Sequence, residues 1–166
     1  MLLENGLRQA DNNSEIRVLA RAKTLTLFQT LDGARKGFVI NFLSELGLID
    51  SDSPIINLEN ANLRGIILKG AYVNGINLSN TNLENADFTS TVLSESTFSK
   101  SNLEGAHLSG IRGSSINFNN ASLKNADMNR ANLTGSNFGG ANFEGADLRG
   151  ANFRDANPLV SANWNG

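Results

Sequence analysis

Ala141-Asn142-Phe143-Glu144-Gly145-Ala146-Asp147-Leu148-Arg149-Gly150-Ala151-Asn152-Phe153 holds the rule that governs most of this chain. A small residue, a polar residue, a Leu or Phe and two turn-prone residues recur in that order. Followed outward, the Leu/Phe position continues from Leu58 to Phe153 without a slip of register. Val73 and Met128 substitute in it, and Gly113 alone empties it. Two positions earlier stand small or branched side chains such as Ala61, Ile76, Ala86, Thr91 and Ala126.

Ala86 and Phe88 flank Asp87, the spacing of a short strand with two side chains on one face. The next inward residue comes three positions later, so the chain bends in between. Gly65, Gly70, Asn80, Asn85, Gly105, Asn120 and Gly135 crowd that bend, and these residue types adopt turn dihedrals at least cost. A helix is excluded, because a five-residue step advances an α-helix about 500° and scatters the apolar set around its axis. A parallel β-solenoid of very short strands and corners is expected.

The same units, Ala61-Asn62-Leu63-Arg64-Gly65 and Ala126-Asp127-Met128-Asn129-Arg130 among them, resemble the A(D/N)LXX motif of the pentapeptide-repeat proteins. The resemblance covers roughly two thirds of the chain. It implies an all-β solenoid, a right-handed quadrilateral parallel β-helix with four pentads per coil. The sequence carries its own check on that coil. Ile56, Ile76 and Ile116 fall on one side of such a square, which has no Ala at the small inward position, and Phe98, Phe118 and Phe138 would stack there. About five coils result, a rod on the order of 24 Å long at about 4.8 Å per coil. The expected organisation is an N-terminal tail and helical cap over 1–53, the β-helix over 54–158 and a C-terminal tail over 159–166.

Unpaired backbone at the ends of a solenoid needs a cover. Ser14 is placed to N-cap a helix with Glu15 in its first turn and Ile16, Leu19, Lys23, Leu27 and Leu31 on its inner stripe, ended by Gly33. A second helix is expected from Ala34 to Leu46, burying Phe38, Val39, Phe42, Leu43 and Leu46, with Gly47 as its stop. Arg35 and Lys36 are expected on a solvated edge. This segment also resembles the helical leader of some cyanobacterial family members. Pro158, Leu159, Val160 and Trp164 are the candidates for covering the other end, with Trp164 over the last coil; a weak dimer through that end is the alternative to a monomer.

Composition removes several chemistries. The net charge of −2 and the absence of cysteine exclude a nucleic-acid arm, thiolate catalysis and thiolate metal sites. Met1-Leu2-Leu3-Glu4-Asn5-Gly6 lacks the pattern of a secretory signal, and no apolar run approaches the ~20 residues of a membrane span. A cytoplasmic protein is expected. No Ser-His-Asp grouping, phosphate loop or clustered metal ligands occurs, so neither enzyme activity nor a cofactor is expected.

With the inward residues assigned, the remainder decorates four sides. On one, Asp87, His107, Asp127 and Asp147 stack; a flat ladder does not converge on a point as a metal site requires, and a surface ion-pair ladder is expected. Relatives in the family bind DNA gyrase by presenting an acidic, duplex-like rod, so the resemblance makes gyrase binding an alternative function. No side of this chain exceeds one net charge, which argues against it. One side is nearly uncharged, carrying Asn57, Asn77, Asn80, Asn117, Asn119, Asn120 and Asn137, together with Ser79, Thr97 and Ser99. Stacked Asn side chains are expected to hydrogen-bond along the axis, and this side is the candidate interaction face for an unknown protein partner. The expected function is a rigid protein-interaction module; a structural spacer is the further alternative.

Overall fold

The computed structural model describes residues 10–11, 14–50 and 54–157. Two helices, α1 (Glu15–Thr30) and α2 (Gly33–Glu45), precede the repeats. Beyond them every parallel bridge joins residues twenty apart, as in the column Asn62, Asn82, Asn102, Ser122, Asn142. No extended strand forms among the described residues, because each pentad bends after a single bridged residue. Within a pentad the polar residue hydrogen-bonds in both directions: Asn82 N–H donates to Ala61 O (3.0 Å), and Asn82 O accepts from Leu63 N–H (2.8 Å). The turn then closes from the next small residue, Ala86 N–H to Leu83 O at 3.0 Å.

The corner residue is left-handed throughout. Gly105 takes it without strain, yet Asn85 (φ 56°), Lys100 (φ 58°) and Arg130 (φ 55°) take it too. Each such side chain costs about 1–2 kcal/mol. The corner N–H of Asn85 is fixed to Glu104 O at 2.9 Å and that of Lys100 to Asn119 O at 2.8 Å, so the ladder imposes the conformation on whatever residue stands there.

The Leu/Phe column fills the interior, with Leu63, Phe88, Leu103 and Leu123 fully buried. Phe98, Phe118 and Phe138 stack as expected, with centroids 5.1 and 5.2 Å apart and interplanar angles of 12° and 4°. Hydroxyls at the small inward position are satisfied by backbone: Thr91 Oγ1 donates to Leu68 O (2.8 Å), and Ser136 Oγ accepts from Ile116 N–H (3.2 Å). Burying them therefore leaves no orphan polar group. Gly113 does not interrupt the stack, since its N–H still reaches Asn132 O at 3.2 Å. The missing volume is taken by Ile116, whose Cδ1 would lie 2.7 Å from a Cβ on Gly113. Ile111, two residues before Gly113, is also fully buried.

The helical cap exists, but its faces differ from the expected ones. Gly33 opens α2 instead of ending α1: Leu31 is extended, and Asp32 caps α2 by accepting from Arg35 N–H at 2.9 Å. Ser14 occupies the N-cap position of α1 without a side-chain capping bond. In α1, Leu19 and Leu27 are exposed, while Arg17 and Phe28 are buried and Arg21 faces the first coil. Hydrogen bonding decides this rotation. Arg21 Nε donates to Asn57 O (2.9 Å) and its Nη2 to Glu59 O (2.7 Å), covering carbonyls that no preceding coil can pair.

The face of α2 is rotated for a related reason. Phe38 and Phe42 point out, whereas Lys36, Gly37, Ile40 and Leu43 are buried. A Cβ on Gly33 would collide with the carbonyl oxygen of Gly65, and one on Gly37 with that of Ile67. Two glycines one turn apart let the helix backbone rest directly on the first coil, where Ile67 N–H donates to Gly33 O at 3.0 Å. Lys36, expected on a solvated edge, instead donates from Nζ to Arg64 O at 3.2 Å, and burial lowers its ammonium pKa. The C-terminus of α2 follows the sequence reading: Gly47 (φ 62°) donates to Ser44 O and Leu48 to Leu43 O, a Schellman stop with Leu43 and Leu48 both buried. The proposed cover by Pro158, Leu159, Val160 and Trp164 lies outside the described residues.

Candidate interaction face

The nearly uncharged side is built by one column of bridged residues, Asn77, Thr97, Asn117 and Asn137. Each uses its side-chain oxygen on the backbone two residues ahead: Asn77 Oδ1 accepts from Ser79 N–H (3.0 Å), Thr97 Oγ1 from Ser99 (3.3 Å), Asn117 Oδ1 from Asn119 (3.0 Å) and Asn137 Oδ1 from Gly139 (3.1 Å). Asn57 makes the same bond to Glu59 at 2.7 Å. These Asx and Thr turns run within a coil, so the register along the axis is held by the backbone bridges of the column and not by its Asn side chains. Axial bonds occur beside it: Asn80 Nδ2 donates to Glu59 Oε1 (2.8 Å), and Ser99 Oγ donates to Asn119 O (3.2 Å). Asn60, Asn80 and Asn120 hold left-handed corners and are exposed. Asn119 Oδ1 is buried without a partner among the described residues, beneath Gly139.

Because Oδ1 is committed to the turn, the amide orientation of Asn77, Asn117 and Asn137 is set by the backbone. Their Nδ2 groups have no hydrogen-bond partner among the described residues. The face therefore offers fixed N–H donors from Asn77, Asn117 and Asn137, interrupted at Thr97, with Glu59 and Lys100 as its charges.

The histidine ladder is also stacked, with bridges joining Asp87 to His107, His107 to Asp127, and Asp127 to Asp147. The carboxylates serve their own pentads: Asp87 Oδ1 accepts from Thr89 N–H (2.9 Å), and Asp127 Oδ1 accepts from Asn129 N–H (3.1 Å) and from its Nδ2. Asp147 takes two bonds from the Arg149 guanidinium, at 2.9 and 2.7 Å, which with the Arg149 N–H hold its carboxyl down at about 2. No ion pair joins His107 to the aspartates beside it among the described residues, and no group of three or more potential metal ligands gathers there.

On one further side two ion pairs join neighbouring coils, and the others pair within a pentad. Arg64 meets Glu84 at 2.7 Å, and Lys124 meets Glu144 at 3.0 Å, where the hydrogen bond to Glu144 raises the lysine pKa. Arg154 meets Asp155 at 3.5 Å. Such exposed pairs add little stability, but they leave no continuous run of negative charge. No described helix is long and apolar enough to cross a membrane.

Comparison with known proteins identifies the family of the repeats. The family model for pentapeptide repeats matches in eight copies over residues 56–94, 74–110 and 116–155, which together span more than half of the chain. The chain belongs to the pentapeptide-repeat family. Among curated proteins nothing matches. Among solved structures it is similar to the pentapeptide-repeat protein Rfr23 of the cyanobacterium Cyanothece 51142, at 26% identity over 65% of this chain and 87% of that one, with a TM-score of 0.32. HetL of the cyanobacterium Nostoc sp. strain PCC 7120, involved in heterocyst differentiation regulation, is 25% identical over 64% of this chain and 66% of its own, with a TM-score of 0.30. QnrB1, a plasmid-mediated fluoroquinolone resistance protein, is 16% identical over 64% and 68%, with a TM-score of 0.35.

Proposed function

We propose that this chain is a non-enzymatic, rigid protein-interaction module, a right-handed four-sided rod of about five coils whose nearly uncharged side is the contact surface. The observation that carries the reading is the column of Asn amides oriented by their own turns. A surface whose polar groups are already fixed loses little side-chain freedom on binding, and one with few charges loses little hydration. The balance of positive and negative charge on each remaining side supports this assignment over a gyrase-binding DNA mimic, which needs an acidic surface.

The test is capture of a partner from native lysate by the full chain and by an Asn80→Lys/Asn120→Lys variant. Both positions are exposed left-handed corners, a place where Lys100 already stands, so the fold tolerates the change. A partner held by the native chain and lost by the variant is expected. A partner held equally by both removes the face from consideration; strong inhibition of gyrase in a supercoiling assay replaces the reading with the DNA-mimic alternative, and no specific partner favours a spacer.

A further inference from the structure

The outer face of α2 carries Arg35, Phe38, Phe42 and Glu45, all exposed and spaced three, four and three residues apart. That spacing is the seam of two helices packing side by side. Phe38 is 74% exposed and Phe42 51%, unusual for rings on a helix whose opposite face is well buried. The two charges sit against their own helix dipole, Arg35 in the first turn and Glu45 in the last, where cations and anions respectively are disfavoured.

An antiparallel copy resolves both features at once. The positions are symmetric about Ile40, so in a two-fold pair Phe38 meets the Phe42 of the second copy, and Arg35 meets its Glu45. Each charge then also lies at the helix end that favours it. A surface that complements itself in this way defines an isologous contact. We propose that the outer face of α2 is a self-association surface and that its partner is a second copy of this chain, α2 packed antiparallel on α2 across a two-fold axis. The Arg35 pair with Asp32, 3.2 Å within the same copy, is exposed and engages one of the five guanidinium donors, leaving geometry for an intermolecular carboxylate. The rings expose roughly 250 Å² per copy, against about 800 Å² per partner in an interface of standard size. The dimer is accordingly weak and concentration-dependent. The contact is independent of the Asn face.

Sedimentation velocity on the full chain over about a hundredfold range of concentration reads the proposal directly. The native chain is expected to shift from monomer to dimer. Arg35→Glu alone and Glu45→Arg alone each bring like charges together twice by symmetry and are expected to abolish the shift, while the double swap Arg35→Glu/Glu45→Arg restores it. Each single change puts a charge where its own helix dipole favours it, so loss of the dimer is not loss of the fold. A monomer at every concentration overturns the proposal. So does a dimer indifferent to the single reversals, which places the contact elsewhere, or a double swap that stays monomeric, which refutes the antiparallel register.

Discussion

At the scale of single residues, the end of the rod depends on a few atoms. Gly37 has no room for a Cβ beneath Ile67 O, so Gly37→Ala must lift α2 from the first coil. A loss of about 1–3 kcal/mol is expected in a denaturant titration. Arg21→Ala strands the carbonyls of Asn57 and Glu59, at an expected cost of about 2 kcal/mol, with faster amide exchange confined to the cap and first coil. Asp147 supplies a pH test. Its folded pKa of about 2 lies below the ordinary 3.8, so its contribution is complete above the ordinary value and is lost as pH falls through the folded one. Carboxyl titration by NMR should show the low midpoint in the native chain and a return toward the ordinary range in Arg149→Gln.

At the scale of elements, what was legible from sequence divides along one line. The five-residue period and the Phe98, Phe118, Phe138 column are repetitive, so many copies of the same signal reported the same packing. The faces of α1 and α2 were not legible, because each helix is read once and its burial is set by backbone contact. Gly33 and Gly37, one turn apart, were the available signal for close approach, and Arg21 and Lys36 reach carbonyls whose exposure only the first coil creates. Asn side chains bonding within a coil were missed for a similar reason, since the stacking geometry is shared by both arrangements. The repeat also contains its own irregularity. Gly113→Leu restores the motif but meets Ile116 and the Leu93–Ser94 backbone, so it is expected to destabilise alone and to be partly rescued by Ile116→Ala, a coupling above about 0.5 kcal/mol in a double-mutant cycle. Phe118→Ala, at the middle of the ring stack, should cost about 3–5 kcal/mol by denaturation.

For the whole molecule, stacking makes neighbours responsible for stability and leaves the outward residues to decide recognition. One side then differs from the others: its amides are fixed by Asx turns and its charges are few, whereas elsewhere Arg64, Lys124, Arg149 and Arg154 meet carboxylates within or between coils. Specific recognition by that side is read by partner capture with one charge change per side, using Asn120→Lys on the amide side, Arg64→Glu and Lys69→Glu on the next two, and Arg112→Glu on the fourth, each an exposed position. The partner is expected to be lost with Asn120→Lys and kept by the other three. Retention with Asn120→Lys alongside loss with any of the others places recognition on another side.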